Sequence, residues 1–149
     1  MVVNLIPPCV LYEDDDVIVL AKPPGINTHR PSPYAPQGLY EWLSMRLPQL
    51  PPLSILHRLD RGTSGVLLMG KSKVANRSIT AQFQARTVRK RYVLVTQGDA
   101  GDQVETSQPL GWARGRAVLQ PDGNPAHTRF QLIKQANNLS WYAAFPTTG

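Results

Sequence analysis

The sequence predicts an α+β domain built on a mixed, mainly antiparallel sheet with flanking helices. Three observations carry that expectation. Short β-branched or alternating apolar segments recur between Gly, Pro and Asn punctuation, helical periodicity is confined to two stretches, and Asn137-Asn138 joins two apolar segments with the chemistry of a tight hairpin turn. At 149 residues the length favours one domain spanning residues 1–149.

After a Pro-rich leader that ends near Pro8, residues 17–22 (VIVLAK) read as a buried strand. The acidic run Glu13, Asp14, Asp15, Asp16 before it suits a solvated turn, and Pro23-Pro24-Gly25 ends it. Residues 23–38 form a loop with Pro31, Pro33 and Pro36, and Leu39, Leu43 and Leu47 then recur at helical spacing until Pro48. Residues 55–59 lead into a turn at Arg61-Gly62, and 66–69 form the next strand, giving strand, loop, strand around Asp60. Ser72 is placed to cap a helix whose apolar face is Ala75, Ile79 and Phe83, while Lys73, Arg77 and Arg86 lie on its opposite side. Residues 89–96 alternate as a strand, with Tyr92 and Leu94 on one side and Arg91, Val93 and Val95 on the other. A turn follows at 98–101. The polar, Gly-rich stretch 102–125 offers one short strand at 116–119, and 128–133 and 139–145 are the strands of the final hairpin.

Composition narrows the function classes. Apolar residues make up 42% of the chain, which argues against disorder, and no apolar run approaches the roughly 20 residues that span a bilayer. No membrane partner is expected. The N-terminus lacks the basic start and apolar run of a secretory signal, so the cytoplasm is the expected location. The single cysteine, Cys9, reads as a small buried apolar side chain, and the scattered His29, His57 and His127 match no zinc spacing, so no metal is expected. Residues 1–50 carry 3 basic and 5 acidic side chains, whereas 51–149 carry 13 and 5. The basic charge is concentrated between residues 54 and 96, where Asp60 is the only acid, and a field of that shape suits a polyanion.

The densest polar cluster is His57-Arg58-Leu59-Asp60-Arg61-Gly62-Thr63-Ser64-Gly65. An ionised Asp60 between arginines suits a nucleophile or a charge stabiliser better than a general acid; as a plain structural feature it would cap the turn, with Thr63 and Ser64 as local hydrogen bonders. No strand opens into a GxGxxG turn for a dinucleotide, and Ser64 lacks a nucleophile elbow.

Taken as words, HRLDRGTSG at 57–65, VIVLAKPPGINTH at 17–29 and KRYVLVTQG at 90–98 resemble the pseudouridine synthase family typified by the ribosomal large-subunit enzyme A group, as does the intervening helix ending in Gln82-Phe83. The resemblance covers nearly the whole chain. It implies isomerisation of a uridine in RNA to pseudouridine without cofactor or metal. It makes Asp60 the essential carboxylate, acting by attack on the ribose C1′ or through loss of the 2′ proton to a glycal-like intermediate. By the same resemblance Tyr92 stacks on the flipped base and Arg58 helps hold the flipped-out arrangement. His57, Arg61 and Thr63 complete the expected substrate side, Thr63 with Ser64 through the shape of the loop and His57 through a bond to backbone or phosphate. Lys73, Arg77, Arg86, Arg89 and Arg91, with Arg61, are candidate phosphate contacts. Lys22 suits a structural or an RNA-contact role equally.

Family members continue after a Thr-Gly pair into a word resembling Arg-Thr-His-Gln-Ile-Arg, whose arginine is expected to pair with the catalytic aspartate, whereas this sequence stops at Thr148-Gly149. The sequence is therefore expected to be the N-terminal portion of the catalytic domain, with no S4-like module before it and an open sheet edge where it stops. Structured RNA is the expected partner, large-subunit ribosomal RNA first and transfer RNA as the alternative, with residues 27–38 as a candidate discriminator. A noncatalytic RNA-binding module and a purely structural fragment are the rival classes.

Overall fold

The computed structural model describes residues 10–113 and 116–148; the Pro-rich leader and Cys9 lie outside them. Backbone packing groups the chain into two compact units that divide after Gln84.

The first unit holds β1 (Val10–Glu13), β2 (Val17–Lys22), α1 (Leu39–Arg46), β3 (Ser54–Ile55), β4 (Gly65–Gly70) and α2 (Lys73–Gln84). Its sheet has the order β1-β2-β4-β3, antiparallel throughout. The acidic run turns between β1 and β2 because the Asp14 carboxylate accepts the N–H groups of Asp16 and Val17, each at 2.8 Å. In β2 the period of two buries Ile18 and Leu20, which lie opposite Met69 and Leu67 of β4, all four fully buried. Leu39 and Leu43 bury one stripe of α1, and the helix ends before Pro48. Ser72 caps α2 as its sequence predicts, its Oγ accepting the Ala75 N–H at 3.1 Å.

The second unit holds β5 (Tyr92–Gln97), β6 (Gln103–Thr106), β7 (Leu110–Ala113), β8 (Arg116–Leu119), β9 (Thr128–Ala136) and β10 (Leu139–Pro146). Four strands form a sheet in the order β5-β10-β9-β6, and β7-β8 form a separate ribbon; every pairing is antiparallel. Asn137 (φ 51°) and Asn138 (φ 60°) both occupy the left-handed region, the geometry that a two-residue hairpin turn requires. β10 is central and buries Ser140, Tyr142, Ala143 and Ala144.

Three differences from the sequence expectation have physical causes. β5 begins at Tyr92 rather than at 89, because its ladder with β10 ends at the pair Tyr92–Ala144; farther along β10, Pro146 has no N–H to extend it. β6 and β7, absent from the expectation, are short, with no apolar period to announce them, and β6 pairs on one side only. β1 is a third addition, half-buried at Val10 and exposed elsewhere. Among the described residues no helix is long and apolar enough to cross a membrane.

Candidate active site

β2 ends at Lys22, which pairs with Gly65, the first residue of β4. Residues 23–28, leaving β2, and the loop entering β4 therefore share one end of the sheet. Gly25, at φ 88°, makes the turn that a side chain would strain. Its N–H donates to the Arg61 carbonyl at 2.7 Å, and Arg61 Nε donates back to the Gly25 carbonyl at 3.0 Å. Three residues on, Thr28 Oγ1 donates to the Leu59 carbonyl at 3.0 Å and accepts the Leu59 N–H at 3.1 Å. Asp60 stands between these two anchored residues. Its own carbonyl accepts the Thr63 N–H at 3.0 Å, closing the turn, and its side chain stays exposed beside exposed Arg58 and above buried Leu59 in the sequence. The backbone on both sides of the carboxylate is thus fixed while the carboxylate itself remains open to a substrate.

Lys22 supplies the floor of this strap. It is 1% exposed, and its Nζ donates to the carbonyls of Pro23 at 3.0 Å and Ile26 at 2.8 Å, with a longer reach of 3.5 Å to Arg61. Burial pushes its pKa below the ordinary lysine value, and the nearby Asp60 charge acts in the opposite direction. Of the two roles left open by the sequence, this geometry is the structural one. From behind, the first N–H groups of α1 hold the strap: Leu39 donates to Asn27 at 2.9 Å and Tyr40 to Thr28 at 3.0 Å. Glu41 adds its carboxylate, which accepts the N–H groups of Arg30 and Gly38.

His57 binds backbone. Its Nε2 accepts the Leu68 N–H at 3.0 Å, extending the β3–β4 pairing past Ile55 with a side chain in place of a strand. The ring also stacks on Phe83 of α2, with centroids 5.0 Å apart and 22° between planes.

The basic residues fall into two groups. Arg58, Arg61, Lys73 and Arg77 are exposed in the first unit, and Arg86, Arg89 and Arg91 in the second. Lys71 is instead paired with Glu13 at 2.7 Å, and Lys90 donates to the Thr148 carbonyl at 3.0 Å. Burial and then the Arg86 charge lower the pKa of Lys90. Tyr92, half-buried, belongs to the second unit, opposite Ala144. Asp60, Arg61, Thr63 and Lys22 are brought together in the first. Among the described residues no three of His, Cys, Asp and Glu are grouped to hold a metal ion.

The sequence model of the family described as RNA pseudouridylate synthase matches residues 16–149. The chain belongs to this family. It is 36% identical over 145 residues to ribosomal large subunit pseudouridine synthase C of Vibrio cholerae, covering 95% of this chain and 45% of that protein. To the protein of the same name from Yersinia pestis it is 34% identical over 147 residues, covering 95% and 46%. The chain thus spans about half the length of the curated relatives it matches. Among solved structures, human RNA pseudouridylate synthase domain containing 1 superposes with a TM-score of 0.77 at 21% identity, over 94% of this chain and 59% of that one. Human RNA pseudouridylate synthase domain containing 4 gives 0.73, also at 21%, with the same coverage. These two likenesses show the fold. Sequence reasoning passed over Gly25, Thr28 and Glu41 as holders of the Asp60 loop. Gly25 and Thr28 lie inside the word VIVLAKPPGINTH, and that was their only signal; Glu41 had none.

Proposed function

We propose that this chain carries the catalytic carboxylate of an RNA pseudouridine synthase and that Asp60 is that carboxylate. The observation that supports it most is the double anchoring of Leu59 and Arg61 to the 23–28 strap, which leaves an exposed carboxylate on a fixed backbone. In the proposed reaction the C1′–N1 bond of a uridine breaks, the uracil turns, and a C1′–C5 bond forms. The C5 hydrogen leaves as a proton and N1 gains one, so no net redox change occurs. Asp60 acts at the sugar, by attack on C1′ or by assisting loss of the 2′ proton. Tyr92 stacks on the uracil while it is detached, Arg58 holds the displaced RNA, and the exposed basic residues Lys73, Arg77, Arg86, Arg89 and Arg91 contact phosphates. Arg61 and Thr63 shape the loop, and His57 positions its entry into β4.

Large-subunit ribosomal RNA is the proposed substrate, supported by the names of the curated relatives, with action in the cytoplasm part of the same proposal. Release of tritium from RNA labelled at uracil C5 tests it, with ribosomal and transfer RNA compared. Release that disappears in Asp60→Asn supports the proposal. A folded protein that binds RNA and releases no tritium leaves a noncatalytic RNA-binding module; tritium release confined to transfer RNA moves the substrate.

A further inference from the structure

Beyond the Asp60 strap the same segment continues into an exposed loop. Its base is fixed. Glu41 holds Arg30 and Gly38 by their N–H groups, and a Cβ at Gly38 would lie 2.5 Å from the His29 backbone, so the two ends of the loop are in direct contact. Its tip is also ordered into a turn, with the Ala35 N–H donating to the Ser32 carbonyl at 3.0 Å. On that turn Tyr34 is 99% exposed, the full surface of an aromatic ring presented to solvent by a tied loop. Between the loop and α1 lies an open pocket lined by Arg30, Pro31, Pro33, Gln37, Tyr40 and Met45. Arg30 Nε is buried there without a hydrogen-bond partner.

Charge and chemistry select the occupant. The one acid lining the pocket, Glu41, has both oxygens engaged by backbone N–H groups, and Arg30 supplies positive charge. An exposed aromatic ring on a loop whose pocket is lined by a guanidinium supplies components of a single-stranded nucleotide site. A catalyst that extracts one uridine leaves its neighbours unstacked, and those bases need a new surface. Tyr34 lies six residues beyond Thr28, which is bonded to Leu59; that is at most about 20 Å of chain.

We propose that residues 30–37 and the adjoining face of α1 receive an unpaired nucleotide flanking the target uridine. Tyr34 stacks on the base and Arg30 donates to its acceptor atoms. This rests on the RNA isomerase function proposed above.

The test takes the stem-loop fragment of large-subunit ribosomal RNA that the protein binds most tightly and makes each loop nucleotide abasic in turn. Dissociation constants are measured for the wild type, Tyr34→Ala, Tyr34→Phe and Asp60→Asn. The expected result is one loop position at which base removal weakens binding about tenfold in the wild type and in Tyr34→Phe, and has no effect in Tyr34→Ala. Tyr34→Ala binding every RNA as the wild type does, or the abasic cost persisting in that variant, overturns the proposal. Should the abasic cost appear in the wild type and in Asp60→Asn while the wild type releases no tritium, the contact stands and the isomerase function falls. Absence of affinity for any fragment removes both.

Discussion

Thr28 and Leu59 exchange two hydrogen bonds across 31 residues of chain, one hydroxyl serving as donor to the carbonyl and acceptor of the N–H. A side chain thereby imitates one rung of a β-ladder next to Asp60. Both residues are buried, so neither backbone group of Leu59 has water as an alternative. Thr28→Val keeps the shape and removes both bonds. It is expected to lower unfolding stability by about 2 kcal/mol, since two buried backbone groups lose their partner, and to lower kcat for tritium release more than it raises KM. Thr28→Ser should restore most of both. A Val variant with the stability and kcat of the wild type would show that the strap does not hold the loop.

Lys22 makes a related case with a charged group. Its buried ammonium satisfies the carbonyls of Pro23 and Ile26, so Lys22→Met, which fills the space of the stem, strands both acceptors. A loss of about 2–3 kcal/mol is expected in urea unfolding, without the reduction in salt sensitivity of RNA binding that removal of a phosphate contact brings. A shallower salt slope with unchanged stability would instead make Lys22 an RNA contact.

How much of this was legible follows from where each signal lies in the chain. β2, α1 and α2 were readable because their apolar residues repeat at period two or at helical spacing over a full element, and the Asn137-Asn138 turn because two left-handed residues favour that chemistry. β6 and β7 were not, since an edge strand such as Gln103–Thr106 takes its order from β9 and carries only Val104 as an apolar marker. In the site, the loop around Asp60 could be located from its own residues. The holders of that loop could not, because the partners of Leu59, Arg61 and Arg30 lie 31, 36 and 11 residues away and a hydrogen bond leaves no periodic trace.

Asp14 gives a pH dependence whose sign is fixed by its surroundings. The N–H groups of Val17 and Asp16, then the Tyr12 hydroxyl, lower its pKa below the ordinary 3.8. The unfolded chain therefore takes up this proton first as the pH falls. The turn's contribution is fully present above the unfolded value and is lost as the pH drops through the lower folded one. Asp14→Asn cannot titrate, so the stability advantage of the wild type over this variant should shrink as the pH falls through 3.8 and below. A constant difference across that range would mean that the Asp14 charge is not what organises the β1–β2 turn.

Arg86 separates stability from RNA affinity. Its φ of 58° puts a long side chain in the left-handed region two residues after α2 ends, a place where glycine is favoured. Its side chain is exposed. Arg86→Gly should therefore raise stability by about 1 kcal/mol through relief of backbone strain. The same change should weaken RNA binding and reduce the slope of log affinity against log salt by about 1, as loss of one phosphate contact requires. Arg86→Ala loses the charge and keeps the strain, so it should match the glycine variant in RNA binding and fall below it in stability. If the glycine variant gains stability with an unchanged salt slope, Arg86 is absent from the RNA interface and its strained backbone needs another cause; if it gains none, the left-handed conformation carries no cost here.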